Sequence, residues 1–538
     1  MAIIDFFDRG WSINANAVAY RTDSEAWTYD EAGRMSCRIA NALIADGIAR
    51  ETKVAVLSPN DPLAWICVLG TWRAGGTWVP LNPSSSVADN ITLLERFDVE
   101  IVFYHPSLSA QVGEIRDRVP SIRFIALDQD VTGGVIGGVS GGVSGVITGV
   151  ITVDANVRSW IVDQPETRPD VAYDMDDVVA IAPTGGTTGL PKGVMNTNRS
   201  FSVMVAHQLL AFAYPDDEPI VNLAAAPMTH SAGLLTLHVT ARGGSVVIVD
   251  RAQPALILSA IERYGVTEIF LPPTVVYRLL EELDDRKVDT SSLRHIIYGA
   301  APMSVDKLRA GLERLGPVFV EVYGQMESPA AISFLRPPEH FIDGKVAPDS
   351  RLASCGRPYP LVTLAIKDPQ TGRDLPVGET GEICVRGDLL MKGYYKDPER
   401  TAEAIRDGWL HTGDLGHLDD HGYLRLTDRA KDMIITGGFN VYPGEVEQVI
   451  WGHPSVEDCA VIGAPDTDWG ERVTAVVELK PGAAVSEEEV QRLCRDALGP
   501  VRTPKAVVFV DRLPRSVNGK VLKKDVRASF WADHTRTI

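Results

Sequence analysis

From residue 27 onward, short apolar stretches alternate with helical ones, and this alternation restricts the architecture more than any other feature of the chain. Thr28-Tyr-Asp-Glu31 has the form of a capping box, and Met35, Ile39 and Leu43 follow at helical spacing, so a helix should end near Gly47. Lys53-Val-Ala-Val-Leu-Ser58 reads as a buried strand, Ala64 to Trp72 as a helix, and Gly76-Thr-Trp-Val-Pro80 and Glu100-Ile-Val-Phe-Tyr104 as strands. Further apolar strands are expected at Val178 to Ala182, Ser245 to Val249, Glu268 to Leu271 and His295 to Tyr298. Apolar strands separated by helices predict βαβ units with parallel sheets covered on both faces.

The texture changes past residue 360. Asp374-Leu-Pro-Val-Gly-Glu-Thr-Gly-Glu-Ile-Cys-Val-Arg-Gly387 places turn residues every few positions, which predicts a small β-rich subdomain over about 350–430. A helix should open at Pro443, strands are expected at Ala460 to Gly463 and Val473 to Leu479, and Ser486 should cap a helix running to Leu498. The expected fold class is therefore α/β: a large N-terminal part with two βαβ-type sheets and a β-rich subdomain, followed by a small α/β C-terminal domain. A length of 538 residues is enough for several domain-sized cores.

Charge and composition exclude other classes. The balance of 52 basic against 71 acidic side chains gives a net charge of −19, which repels a phosphate backbone, so no nucleic acid partner is expected. No apolar run is long enough to span a bilayer, and Asp5 and Asp8 interrupt the apolar N-terminus, which lacks the basic start of a secretory signal. Six cysteines without metal-binding spacing read as reduced thiols of a cytoplasmic protein. Homodimer formation is left open. Tandem units GGVI, GGVS, GGVS, GVIT and GVIT over Gly133 to Thr152 are too short for a solenoid and favour an expanded surface loop over a functional lid.

The chemistry concentrates first in Thr184-Gly-Gly-Thr-Thr-Gly-Leu-Pro-Lys-Gly193, directly after an apolar strand. Glycines let backbone amides approach a polyphosphate, hydroxyls donate to it and Lys192 adds a point charge. Gly193 follows the lysine where a Walker loop would carry serine or threonine, so this is a different phosphate loop.

With this loop, the chain resembles the adenylate-forming superfamily of acyl-CoA synthetases, peptide-synthetase adenylation domains and luciferases. The resemblance extends through Pro227-Met-Thr-His-Ser-Ala-Gly233, Tyr323-Gly-Gln-Met-Glu327, Gly393-Tyr-Tyr-Lys396, Trp409-Leu-His-Thr-Gly-Asp414, Arg429-Ala-Lys-Asp-Met-Ile-Ile-Thr-Gly-Gly438 and Pro514-Arg-Ser-Val-Asn-Gly-Lys520, in the family's order. It is closest to acyl-CoA synthetases and implies ATP, Mg²⁺ and CoA as cofactors and co-substrates.

By resemblance, Lys520 bridges the substrate carboxylate and the α-phosphate, an electrostatic role during adenylate formation. Thr184, Gly185, Gly186, Thr187, Thr188, Gly189 and Lys192 hold the phosphates, and Glu327, with Thr184, serves the metal. Ala300, Ala301, Pro302, Tyr323, Gly324, Gln325 and Met326 are further ATP/AMP-binding residues, Tyr323 stacking on the adenine. Asp414 and Arg429 contact the ribose, with a buried salt bridge as the competing explanation for that pair. The family implies a hinge at Lys431 between residues 1–430 and 431–538, about which the C-terminal domain turns so that Gly437, Gly438 and Trp469 approach the CoA thiol.

Met326 stands where the family usually has a threonine, and Gly185 where it often has a serine. The acyl pocket implied by resemblance is gated by His230 and walled by Tyr298, Gly299 and the residues after it, with Thr274 and Tyr277 as further candidates. The small residues at 299, 300 and 301 should leave room for an acid wider than acetate. No lysine or aspartate there would pair with an α-amino group.

The expected activity is conversion of a medium- or long-chain, aromatic or polycyclic acid to acyl-AMP with release of pyrophosphate, then to a CoA thioester. The alternatives are transfer of the adenylate's acyl group to a carrier protein or partner enzyme, and a non-catalytic nucleotide-binding homologue. The insertion typical of fatty-acyl-AMP ligases is not recognised after residue 350.

Overall fold

The structure is a computed structural model describing residues 1–127, 156–184, 191–215, 218–229, 231–285, 287–429, 432–466, 469–515 and 521–531. The repeat at 133–152, loop residues Gly185, Gly186, Thr187, Thr188 and Gly189, and His230, Lys431 and Lys520 lie outside the described residues.

Two mixed sheets build the large body. One has the order Gly393–Tyr394, Lys192–Thr197, Val178–Thr184, Thr77–Leu81, Lys53–Leu57, Val99–Tyr104, Arg123–Ala126. The other has the order Arg357–Pro358, Ser328–Leu335, Phe319–Gln325, His295–Gly299, Glu268–Leu271, Val221–Ala224, Ser245–Ile248, Val18–Arg21, Ala26–Thr28. The expected parallel pairing holds in the interior of each sheet. It fails at the edges, where Lys192–Thr197 and Ser328–Leu335 run antiparallel to the strands they follow. The connections from Thr184 to Lys192 and from Gln325 to Ser328 are too short for a helical crossover, so the chain must turn back.

The predicted capping box forms: Glu31 N donates to Thr28 Oγ1 at 3.2 Å and Thr28 N donates to Glu31 Oε2 at 2.8 Å. The helix Pro62–Arg73 is buried along its whole length, and Trp65, Trp72 and Trp78 meet edge to face in the core shared by the two sheets. Its buried Arg73 is paired with Asp8 through two bonds of 2.6 and 3.0 Å, so the charge is not stranded.

The β-rich segment is an antiparallel sheet of Thr363–Lys367, Gly381–Arg386, Trp409–Leu418 and Ile405–Arg406, with Leu424–Arg429 also paired to Trp409–Leu418. Beyond it, Ile434–Thr436, Phe439–Val441, Val456–Asp466, Gly470–Leu479 and Ala506–Val510 form a separate sheet. The helices Pro443–Trp451 and Glu487–Leu498 pack on it around Val446, Ile450, Val461, Val477, Val490 and Cys494. The six cysteines are buried and form no disulfide. Among the described residues, no helix is long and apolar enough to cross a membrane.

Candidate active site

Thr184, Gly299 and Gln325 end three strands of the body at their carboxyl ends, the edge at which α/β sheets bind ligands. The Tyr323–Asp414 pair is the most firmly built part. Asp414 is 9% exposed, and the Tyr323 hydroxyl donates to its Oδ2 at 2.8 Å. Burial and the Asp414 carboxylate push the Tyr323 phenol far above its ordinary range, which keeps it a donor. Arg429 pairs with Asp414 through the sheet backbone.

The turn leading to Asp414 is clamped to the neighbouring strand. Thr412 Oγ1 donates to Ile383 O at 2.7 Å and accepts from Asp414 N at 3.1 Å; Gly413 N donates to Glu382 Oε1 at 3.2 Å. The second oxygen of Glu382 lies 2.7 Å from His411 Nδ1, and Cys384 Sγ lies 3.4 Å from that same nitrogen. Among the described residues, Glu382, Cys384 and His411 are the group with donor spacing suited to a metal. Both oxygens of the carboxylate already hold the turn, however, and burial with the nearby Glu382 pushes the Cys384 thiol up to about 12. The cluster is therefore a clamp for the Asp414 turn.

On the phosphate side, Thr184 and Lys192 are register partners across the glycine loop, so its two ends are fixed side by side. Lys192 Nζ lies 4.5 Å from the centre of the Tyr394 ring, and the Tyr394 hydroxyl donates to Glu327 Oε1 at 2.9 Å. Met326, at the position of the family's threonine, packs against Val194, Met391, Tyr394 and Leu410, and its carbonyl accepts from Asn196 Nδ2 at 3.2 Å. Gln325 Nε2 reaches Thr412 O at 3.4 Å, tying this segment to the ribose-side turn. The residues present fit Mg²⁺: Glu327 offers a hard carboxylate oxygen, partly solvent-accessible and steadied by Tyr394.

Ala300, just beyond the strand His295–Gly299, has φ +64°, a left-handed conformation uncommon for a residue with a β-carbon. Such outliers cluster at ligand sites. The expected acyl wall needs correction at three places. Tyr298 is fully buried among the helices over the sheet, within 3.4 Å of Glu321 and His340, because strand alternation turns it away from Ile297 and Gly299. Gly299 leaves no room for an acid: a β-carbon there would sit 2.3 Å from Val322 O, so its missing side chain serves the approach of two strands. The Tyr277 hydroxyl accepts from Ser304 N at 2.8 Å and braces the loop after Ala300. Thr274 is half-buried in the first turn of the same helix, Pro273–Asp285.

Gly437 and Gly438 join the strands Ile434–Thr436 and Phe439–Val441 with φ of +55° and +82°. A β-carbon on Gly437 would lie 2.6 Å from the Trp469 ring. Ile435, Phe439 and Trp469 are 51, 57 and 48% exposed around the hairpin. The C-terminal domain touches the body through Gln448 Nε2, which donates to Met303 O at 3.1 Å, and through Gly444 N, which donates to Asp428 Oδ2 at 2.8 Å.

The sequence had assigned no role to Glu382, His411, Tyr394 or Glu321. His411 and Tyr394 sit in the recognised motifs and Glu382 in the turn-rich stretch Asp374 to Gly387, yet only the fold brings Glu382 to Gly413 and Tyr394 to Glu327 and Lys192. Glu321 lies two residues before Tyr323 with no cation partner among the described residues; Cys355 Sγ and Tyr298 Oη are 3.5 and 3.4 Å from its oxygens, and burial pushes its carboxyl up to about 8.

A buried tyrosine–carboxylate pair beside the strand ends, Thr184 and Lys192 held in register, and a separately cored C-terminal domain fit an adenylate-forming enzyme. The chain belongs to the AMP-binding enzyme family, whose model matches residues 7–395; the model of the AMP-binding enzyme C-terminal domain matches residues 445–520. It is 36% identical over 94% of its length to a medium/long-chain-fatty-acid–CoA ligase, FadD8, of Mycobacterium tuberculosis, covering 86% of that protein. It is 34% identical over 96% of its length to a feruloyl-CoA synthase of Amycolatopsis, covering 97% of it. Among solved structures it is similar to the amide bond synthetase McbA of Marinactinospora thermotolerans, with a TM-score of 0.84 and 31% identity over 98% of this chain and 100% of that one.

Proposed function

We propose that this protein is an AMP-forming acid–CoA ligase acting on a medium- or long-chain or aromatic carboxylic acid. The observation that carries the reading is the joint placement of the Tyr323–Asp414 pair and the Lys192–Tyr394–Glu327 group at one edge of the body. In the first step, a carboxylate oxygen of the acid attacks the α-phosphorus of ATP, forming the acyl–phosphate bond as the bond to pyrophosphate breaks. Asp414 holds the ribose, Tyr323 borders the base, Lys192 and its loop take the charge of the departing phosphates, and Lys520 neutralises the α-phosphate oxygens. When bound, Mg²⁺ supplies further neutralisation of phosphate charge at Glu327.

In the second step, the CoA sulfur attacks the acyl carbon and AMP leaves. The reading takes Lys431 as the hinge that presents Gly437 and Gly438 to the site. The exposed Ile435, Phe439 and Trp469 support it, since an apolar rim gains by docking on a second surface. The acid class draws on the fatty-acid and feruloyl ligases among the relatives. A cytoplasmic setting fits six buried cysteines without a disulfide.

The test is carboxylate-dependent exchange of labelled pyrophosphate into ATP across a panel of fatty and aromatic acids, followed by addition of CoA. Exchange with at least one acid and a thioester product are expected. Exchange without thioester moves the reading to another acceptor, such as an amine or a carrier protein, and absence of exchange with every acid overturns it.

A further inference from the structure

Tyr394 touches both charged groups of the phosphate side, and neither contact belongs to a role described above. Its position is tightly set. The segment Gly393–Tyr394 pairs antiparallel with Lys192–Thr197, placing Tyr394 opposite Val194, and Tyr394 N donates to Thr401 Oγ1 at 2.9 Å. Gly393 has φ +147°, and a β-carbon there would sit 2.7 Å from Thr401 Cγ2, so the chain can make this approach only with glycine. The ring is buried against Val194, Met391 and Leu410.

We propose that Tyr394 is a positioning residue that keeps the phosphate-binding ammonium of Lys192 and the metal-binding carboxylate of Glu327 apart and aimed, so that MgATP meets two prepared charges. This rests on the assignment of Lys192 and Glu327 given above. A lysine and a glutamate on one small surface attract each other, and a direct ion pair would have to be broken before either could serve a ligand. Among the described residues, no ion pair joins them; each is attached to Tyr394 instead.

The ring face attracts the ammonium without consuming its N–H donors. The hydroxyl takes Oε1 of Glu327 and leaves Oε2 to a metal. A cation over the ring also strengthens the hydroxyl as a donor, coupling the two contacts.

The test separates them by measuring ATP affinity with Mg²⁺ and with a chelator, by calorimetry on the full-length protein. Tyr394→Phe keeps the ring and removes the hydroxyl. It should leave the Mg²⁺-free affinity unchanged while the enhancement by Mg²⁺ falls about tenfold, as expected for loss of one hydrogen bond to a charged group. Tyr394→Leu removes both contacts and should also weaken Mg²⁺-free binding by about threefold or more. Both variants should retain a cooperative melt. A residue that merely fills space would lower stability or overall affinity without changing the Mg²⁺ enhancement, so an unchanged enhancement in Tyr394→Phe overturns the proposal. If wild-type binding is itself insensitive to Mg²⁺, the Glu327 assignment fails, and the proposal falls with it.

Discussion

The irregular stretch before Asp414 in the strand Trp409–Leu418 and the Gly437–Gly438 hairpin both carry glycines at positive φ beside antiparallel strand pairs, yet they are built in opposite ways. Around Asp414, Thr412, Gly413 and His411 are bonded to the strand Gly381–Arg386 and Tyr323 closes the far side, so the carboxylate has one place to be. Around Gly437 and Gly438, the flanking Ile435, Phe439 and Trp469 lie open to solvent. A group that must bind a ribose in one geometry gains when it is held in place before the ligand arrives, because the ordering cost then falls on folding instead of on binding. A surface that must visit the site only after the adenylate has formed gains from being unattached. On the proposed function, the body would hold the nucleotide in a prepared site and the C-terminal domain would carry its hairpin to that site.

Between these two regions, the larger expected effect comes from breaking the fixed side. Asp414→Ala removes the acceptor of the Tyr323 hydroxyl and the ribose carboxylate together, and should reduce kcat/KM for ATP in pyrophosphate exchange by about a hundredfold, given about 3 kcal/mol for lost bonds to a charged group. Next comes the open side. A β-carbon on Gly438 meets nothing within 4 Å, so Gly438→Leu should fold at the modest cost of a left-handed side chain. It should leave pyrophosphate exchange within about twofold of wild type and slow thioester formation from supplied acyl-AMP by about tenfold or more. Equal slowing of both reactions would remove the division of labour.

The smallest effect concerns stability beneath the fixed side. Glu321 has its carboxyl pushed up to about 8 from an ordinary 4.5 by burial. Between these values, the unfolded chain sheds the proton while the folded one keeps it, so rising pH favours unfolding; above about 8 both forms are ionised and the loss is complete. Glu321→Gln should therefore melt higher than wild type at pH 8.5 by about 3 °C, with a smaller gain at pH 5. An equal gain at both pH values would show that the carboxyl titrates normally.

The expected roles on the fixed side came from resemblance: Tyr323, Glu327 and Asp414 sit inside short motifs shared with the adenylate-forming enzymes. What holds them was not legible in the sequence. Glu382 reaches Gly413 across a strand pair, and Tyr394 lies far along the chain from both Lys192 and Glu327; nothing in their immediate neighbours marks those meetings. Tyr298 was misread for another reason. His295 to Gly299 is buried throughout and lacks the polar alternation that reveals which face a strand turns to a cavity. Likewise, the glycine at 299 carries no sign that a neighbouring carbonyl, and not a ligand, occupies the space. The antiparallel edges could have been foreseen from the shortness of two connections, since a parallel crossover needs about a dozen residues.

The most direct test measures the two half-reactions separately on Lys520→Ala, using an acid that supports exchange in the wild type. The proposed role of Lys520 in adenylate formation alone predicts that acid-dependent pyrophosphate exchange falls by at least about a thousandfold while thioester formation from supplied acyl-AMP and CoA stays within about threefold of wild type. Comparable loss of both reactions would contradict it.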